Sequence, residues 1–260
     1  MHRDRTILLV TGGVAILLLY LPVLLVIVFS FNSASRGMVW DSFSLRWYHE
    51  VWSDDAILIA LWNTSRVVVL TSLLSLALGM LSGYCVALAK NRLFSVLLSC
   101  LFVSVLAPDL IMALAQALTY RTFGIQKGLL TIAVSHSTFG VAYVALFVAI
   151  RMKSIDFDQY LTAAESLGAS PFRAARDHFL PLAVAPALAG TSIVAAMSAQ
   201  DFVYAFFCGG ASTTTLSVKI YSMVKFGVNS SINVVYVGLA AIILLLFWTS
   251  ENVWKATNRS

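Results

Sequence analysis

Six long apolar stretches alternate with short polar breaks along the chain. Residues 7–31 carry no charged side chain for 25 positions. A helix needs about 20 apolar residues to cross a bilayer. Further stretches of spanning length lie at 67–89, 93–120, 128–150, 182–207 and 232–250. The second reaches back to Ala56 if Arg66 snorkels outward. The third is interrupted by Ala107-Pro108-Asp109, and the fifth carries Pro186 early and Asp201 late. The pattern predicts six spanning helices forming one transmembrane domain over 1–260. Loops at about 32–55 and 208–231 lie on one side and a long loop, 151–181, on the other. Arg3 and Arg5 precede the first stretch, as in a signal peptide. The stretch is too long for one and lacks a small-residue cleavage site, so an uncleaved first helix is predicted. No internal repeat or low-complexity segment is visible.

Composition narrows the class. Hydrophobic residues make up 60% and charged residues 11% of 260, and mean hydropathy is +0.88. Soluble domains carry about 25% charged residues, so this chain has too little polar surface to coat a globule in water. The same apolar content excludes disorder. The fold class is an all-α membrane protein.

Charge changes the picture only in topology. The formal charge is +5, but the basic residues are scattered at the ends of apolar runs, with no dense patch to hold nucleic acid. The termini, the 90–92 turn and the 151–181 loop hold ten Lys and Arg: Arg3, Arg5, Lys90, Arg92, Arg151, Lys153, Arg173, Arg176, Lys255 and Arg259. The opposite loops hold six: Arg36, Arg46, Arg121, Lys127, Lys219 and Lys225. Basic loops stay inside, so both termini are predicted to be cytoplasmic. Trp40, Trp47, Trp52 and Trp62 then belong to the outer rim, and Trp248 and Trp254 to the inner end of the last helix. Cys85, Cys100 and Cys208 cannot all pair and read as small hydrophobes, without a metal or disulfide framework.

The 151–181 loop predicts two short helices. Asp158 can cap the first, and Gly168 supplies the left-handed residue that ends it. Ser170 can cap the second, with Pro171 at its first position. Pro181 and Pro186 would stop it and launch the fifth span. Ala163, Ala164, Gly168 and Ala169 are small enough for another surface to approach the backbone. Read from the residues alone, the loop is either an amphipathic connector on the membrane or a docking segment.

Ala163-Ala164, then Gly168-Ala169, then Leu180-Pro181-Leu182 and Pro186 resembles the EAA signature of ABC importer permeases. In that family the loop is a coupling helix docked on a cytoplasmic ATPase. The resemblance places Thr162, Ala163, Ala164, Glu165, Gly168, Ala169, Ser170, Pro171, Phe172, Leu180 and Pro181 in the coupling loop. The family's acid before the two alanines is Thr162 here, so its charged contact is missing unless Glu165 substitutes. Further blocks are similar to permeases of spermidine/putrescine importers: 29–33, 40–48, 108–113, 135–139, 219–228 and 232–233. The resemblance implies a six-helix type I (MetI-like) permease of a bacterial inner membrane. It also implies a homologous second permease, two ATPase subunits that bind ATP and Mg, and a periplasmic binding protein. No cofactor is expected in this chain, which lacks a Gly-x-x-x-x-Gly-Lys-[Ser/Thr] loop.

Asp109 and Asp201 stand inside apolar stretches. Carboxylates at membrane depth are costly and usually face a watery path, so either they attract an entering ammonium group or they are helix-end acids at the interface. Polyamine permeases commonly carry two adjacent acids in the fifth helix. Here the first is Gln200, beside Ser198, which favours a smaller amine or another cationic or zwitterionic solute over a polycation. Tyr204 and Phe206 are expected near the path. By the resemblance Trp47 lines its outer part, and by its residue type it is equally an interfacial anchor. Ser135, His136 and Ser137 do not make a catalytic pair, since neighbours on one helix point apart, and His136 is expected to bond across helices. Lys219 and Lys225, on an amphipathic segment over 215–226, face the binding protein or only solvent. A secondary transporter would need inverted repeats, and a membrane enzyme would need clustered ligands; neither is present.

Overall fold

The computed structural model describes residues 2–35, 39–88, 92–155, 157–227 and 230–257. Arg36, Lys90 and Arg259, counted above, lie outside the described residues. The helices are α1 (His2–Phe29), α2 (Arg46–Ser53), α3 (Asp55–Ala87), α4 (Arg92–Leu106), α5 (Asp109–Thr122) and α6 (Leu129–Ser154). After them come α7 (Phe157–Ser166), α8 (Pro171–Ala174), α9 (Leu180–Gln200), α10 (Val203–Cys208), α11 (Leu216–Phe226) and α12 (Ser231–Thr257). Five stretches are long and apolar enough to span a bilayer: Thr11–Phe29, Asp55–Ala87, Leu129–Ser154, Phe172–Gln200 and Ser231–Thr249.

The third apolar stretch is not a straight rod. Ser99–Leu106 and Asp109–Thr122 meet at 109°. Pro108 has no N–H to continue α4, and its ring pushes Ala107 out of the helical region. The chain restarts at Asp109, whose carboxylate sits favourably at the positive end of the α5 dipole.

The fifth stretch departs from expectation at both ends. Pro181 and Pro186 do not stop the preceding helix. A π-helical turn, Ala175–Phe179, widens the backbone ahead of Pro181. That turn gives the proline ring room beside the carbonyl it would otherwise strike. Pro186 lies buried inside α9, where its missing N–H costs one ladder bond. At the other end α9 stops at Gln200 rather than running to 207. Asp201 is extended (φ −65°, ψ 128°), and α10 begins as a separate short helix.

The chain divides into two compact units. The first comprises 1–58 and 219–241. Its organising residue is Asn32, wholly buried. Asn32 donates from Nδ2 to Val39 O (2.7 Å), accepts at Oδ1 from Asp41 N (3.0 Å), and accepts at its carbonyl from Trp47 Nε1 (2.8 Å). Phe31 stacks between Phe43 and Tyr48.

The second unit comprises 59–218 and 242–260, with α6 at its centre. Val144, Val148 and Met152 of α6 pack on Ala183, Ala187 and Val194 of α9, and Leu76, Met80 and Tyr84 of α3 lean against them. Ser75, Gly79 and Gly83 lie one helical turn apart on α3 and let it close on α6. A Cβ at Gly83 would fall 2.7 Å from Val148 Cβ. Small residues at this spacing are what lets helices associate in lipid, where packing and not water exclusion holds them together.

Candidate functional site

The loop between α6 and α9 folds as its punctuation predicts at most positions. Gly168 takes φ +86°. Its N–H donates to Glu165 O (2.9 Å), and Ala169 N–H donates to Ala164 O (3.0 Å), the paired bonds of a Schellman stop. Ser170 Oγ accepts from Arg173 N (3.3 Å), so Ser170 caps α8 and Pro171 opens it. One detail differs: α7 starts at Phe157, so Asp158 lies within its first turn rather than capping it. Phe157 anchors the loop by packing on Phe179. Ala164 is buried, whereas Thr162, Ala163, Glu165, Leu167, Gly168 and Phe172 are exposed. Leu167 is 89% and Phe172 77% exposed, the apolar tips of a loop that leaves the bundle. Leu180 and Pro181 are exposed at the start of α9.

The two helix breaks meet at a second site. A cavity of about 260 Å³ is lined by Ser104, Val105, Asp109, Phe139, Tyr143, Met197, Gln200, Asp201, Phe202 and Tyr204. Drug-sized ligand pockets begin near 300 Å³, so this one suits a small solute. Asp109 comes from the α4/α5 break and Asp201 from the α9/α10 break. Each break supplies a carboxylate because a broken helix leaves a helix N-terminus whose N–H groups favour an acid. Asp201 Oδ1 accepts from Tyr204 N (2.9 Å) and Ala205 N (3.2 Å), and so caps α10.

His136 of α6 completes the arrangement. Its Nε2 lies 3.0 Å from Asp201 Oδ1 and its Nδ1 2.8 Å from Ser198 Oγ. A carboxylate only accepts, so Nε2 carries the proton, and in the neutral ring Nδ1 accepts from the Ser198 hydroxyl. His136 is 1% exposed and Ser198 3%. The three side chains follow the order of a hydrolytic triad, but the serine is sealed in a helix contact, with no room for a substrate carbonyl. Tyr204 is 1% exposed, and its hydroxyl is buried without a hydrogen-bond partner. An unmet buried hydroxyl costs about 1–3 kcal/mol.

The structure thus brings Asp109, Asp201, Gln200 and Tyr204 to one cavity, with Ser198 behind Asp201. Phe206 is half exposed on α10, against Phe202 and Phe207. Trp47 lies in the first unit, 2% exposed and bonded to Asn32, so its indole is packed inside its own unit rather than lying at that unit's surface. His136 bonds across helices as its residue type predicts, and the structure identifies the partners as Ser198 and Asp201. Ser198 and Asp201, three residues apart near the end of one apolar stretch, with a lone histidine in another, were the available signal. Ser104 and Tyr143 had none. Among the described residues no cluster of His, Cys, Asp and Glu could hold a metal ion. A larger cavity of about 700 Å³, lined by Phe147, Ala189, Ile193, Leu244, Phe247, Trp248 and Glu251, is nearly all apolar and has no convergent polar groups.

Comparison with known proteins gives the same direction. Residues 75–251 match the family described as "Binding-protein-dependent transport system inner membrane component". The chain is 34% identical over 228 residues to the spermidine/putrescine transport system permease protein PotC of Escherichia coli (strain K12), covering 88% of this chain and 84% of that protein. It is 30% identical to the putrescine transport system permease protein PotI of the same strain, covering 87% and 81%. Among solved structures, a bacterial ABC transporter involved in import of the acidic polysaccharide alginate has a chain that superposes with TM-score 0.73 at 15% identity, covering 97% and 98%. The MetNI methionine ABC transporter superposes with TM-score 0.66 at 18% identity, covering 77% and 95%. At such identities these structures show the fold alone. One of them serves an acidic polymer, so substrate charge has to be read from the site.

Proposed function

The chain belongs to the family of binding-protein-dependent transport system inner membrane components, and we propose that it forms half of the membrane path of an ATP-driven importer for a small organic cation. It is a multi-pass membrane subunit and not an enzyme. Putrescine and spermidine are the foremost candidate substrates. The observation that carries this reading is the convergence of Asp109 and Asp201, from two separate helix breaks, on one cavity. The names of the polyamine-transport relatives support it. Because the resemblance implies a second acid where Gln200 stands, and Asp201 is already bonded to His136, the cavity suits the two ammonium groups of putrescine better than the three of spermidine.

In this reading the protein lies in a bacterial inner membrane with both termini in the cytoplasm. A homologous second permease supplies the other half of the path. A periplasmic binding protein delivers the substrate, and two cytoplasmic ATPases bind ATP and Mg. The α7–α8 loop is the lever. Leu167 and Phe172 offer exposed apolar tips to an ATPase groove, while Phe157 and Phe179 tie the loop's root to α6 and α9. Closure of the ATPases would pull this root and tilt α6, which carries His136 two turns in from its start, and α9, which ends beside Asp201. With Thr162 in place of an acid, docking rests on shape and on Gly168 rather than on an ion pair.

The test is to purify the intact assembly and identify the ligand held by its binding protein. A diamine or similar small cation is the expected result. A sugar or an anion would overturn the cation reading.

A further inference from the structure

His136 is the only described side chain bonded to both sides of the α9/α10 break: Nδ1 holds Ser198 on α9, and Nε2 holds Asp201, the cap of α10. All three hydrogen bonds to the Asp201 carboxylate fall on Oδ1, from His136 Nε2, Tyr204 N and Ala205 N. Among the described residues Oδ2 takes none; the Asp201 side chain is 14% exposed and is one of those lining the cavity.

We propose that His136 is a positioning residue for cation recognition: by holding Oδ1 of Asp201 and Ser198 together, it fixes the joint between α9 and α10 and presents Oδ2 to an ammonium group in the cavity. The proposal rests on the cation reading above. The geometry favours it over plain packing for two reasons. A buried imidazole needs only one partner at each nitrogen, yet here both partners flank the break where the helix path changes direction. The ring is also locked by aromatic contacts, with Tyr204 edge-on at 5.9 Å and Phe139 at 5.7 Å, so its two nitrogens keep fixed directions. Two of the ring's neighbours thus line the cavity themselves, and a shift of the imidazole moves the wall as well as the carboxylate. The titratable groups facing this cluster are Asp109, Tyr120 and Cys208 besides Asp201, Tyr204 and Tyr143, with Lys127 beyond them on the carbonyl of Phe207.

Two near-isosteric variants separate the roles of the nitrogens. In His136→Gln the side-chain amide reaches the place of Nε2 and can still donate to Asp201. In His136→Asn it reaches only the place of Nδ1 and can serve Ser198 alone. The measurement is putrescine taken up per ATP hydrolysed in proteoliposomes carrying the full assembly and saturating binding protein. Asp201→Asn is run alongside. His136→Asn is expected to lower the ratio about tenfold and His136→Gln to restore it to within about threefold of the unaltered protein. A residue that only packs would show Gln and Asn alike, and that result overturns the proposal. Loss in Asp201→Asn with no loss in His136→Asn also overturns it and leaves the cation reading standing. An unchanged ratio in Asp201→Asn overturns the cation reading itself.

Discussion

Gly79 of α3 lies so close to Val144 of α6 that a Cβ placed on it would stand 2.5 Å from the valine Cβ. The same glycine would meet Val141 O at 3.2 Å, so the obstruction includes backbone that cannot rotate away. Val144 is β-branched and stiff in a helix. Gly79→Ala therefore sets an overpacking cost of about 1–3 kcal/mol against a helix-propensity gain of about 1 kcal/mol. A net loss is expected, read as a lower melting temperature of the detergent-purified assembly. Gly238→Ala on α12, where the added methyl meets nothing within 4 Å, is the control and is expected to hold or raise it.

Asp201 does two jobs, and they can be pulled apart. Its Oδ1 caps α10, so Asp201→Ala should cost about 0.5–2 kcal/mol of stability. Asp201→Asn keeps an acceptor at that place and should leave the melting temperature within a degree or two while abolishing cation uptake. Equal destabilisation by both would show that the carboxylate's charge, and not its capping oxygen, holds α10.

Gly168 has open space around it, but its φ of +86° excludes ordinary side chains. Gly168→Ala strains one exposed turn by about 1–2 kcal/mol and should leave the spanning helices intact. The expected result is normal membrane insertion with weakened retention of the ATPase in pull-down. Gly168→Asn, which tolerates the left-handed region better, should fall between. Full ATPase retention in Gly168→Ala would count against the loop as the docking element.

Asn32 holds the first unit's loop through both its side chain and its carbonyl. Asn32→Ala removes the side-chain bonds and strands Val39 O and Asp41 N. Both bonds are part-buried and water can reach the groups left behind, so each loss costs about 0.5–1.5 kcal/mol. Limited proteolysis should then cut at 33–41 in the variant and not in the unaltered protein. Trp47→Phe, which removes only the indole donor to the Asn32 carbonyl, should open the same loop more weakly.

What the sequence made legible was local. Gly168 and Ser170-Pro171 announce a stop and a start within a few residues, and the chain obeys them because both are decided by short-range backbone chemistry. Pro108 marked the place of the α4/α5 break, but no local signal carried its 109° angle. Pro181 misled, since a proline is read as a stop from its own ring, whereas the π turn upstream absorbs the clash. The link from His136 to Ser198 and Asp201 crosses 62 and 65 residues, and weighing His136 against its chain neighbours Ser135 and Ser137 could not find it. The close approach at Ser75, Gly79 and Gly83 emerged only from the folded bundle, where α3 meets α6. Trp47 shows the limit of residue type: an aromatic near a polar loop reads as a rim anchor, and only the folded unit shows its indole turned inward onto Asn32.

The most direct test of the central claim is ATP-dependent uptake of radiolabelled putrescine into proteoliposomes bearing the intact assembly, with Asp109→Asn and Asp201→Asn combined in this chain. The cavity account predicts saturable uptake by the unaltered protein and at least a tenfold loss in the double variant, with the assembly still intact by size-exclusion chromatography. Undiminished uptake without either carboxylate would contradict it.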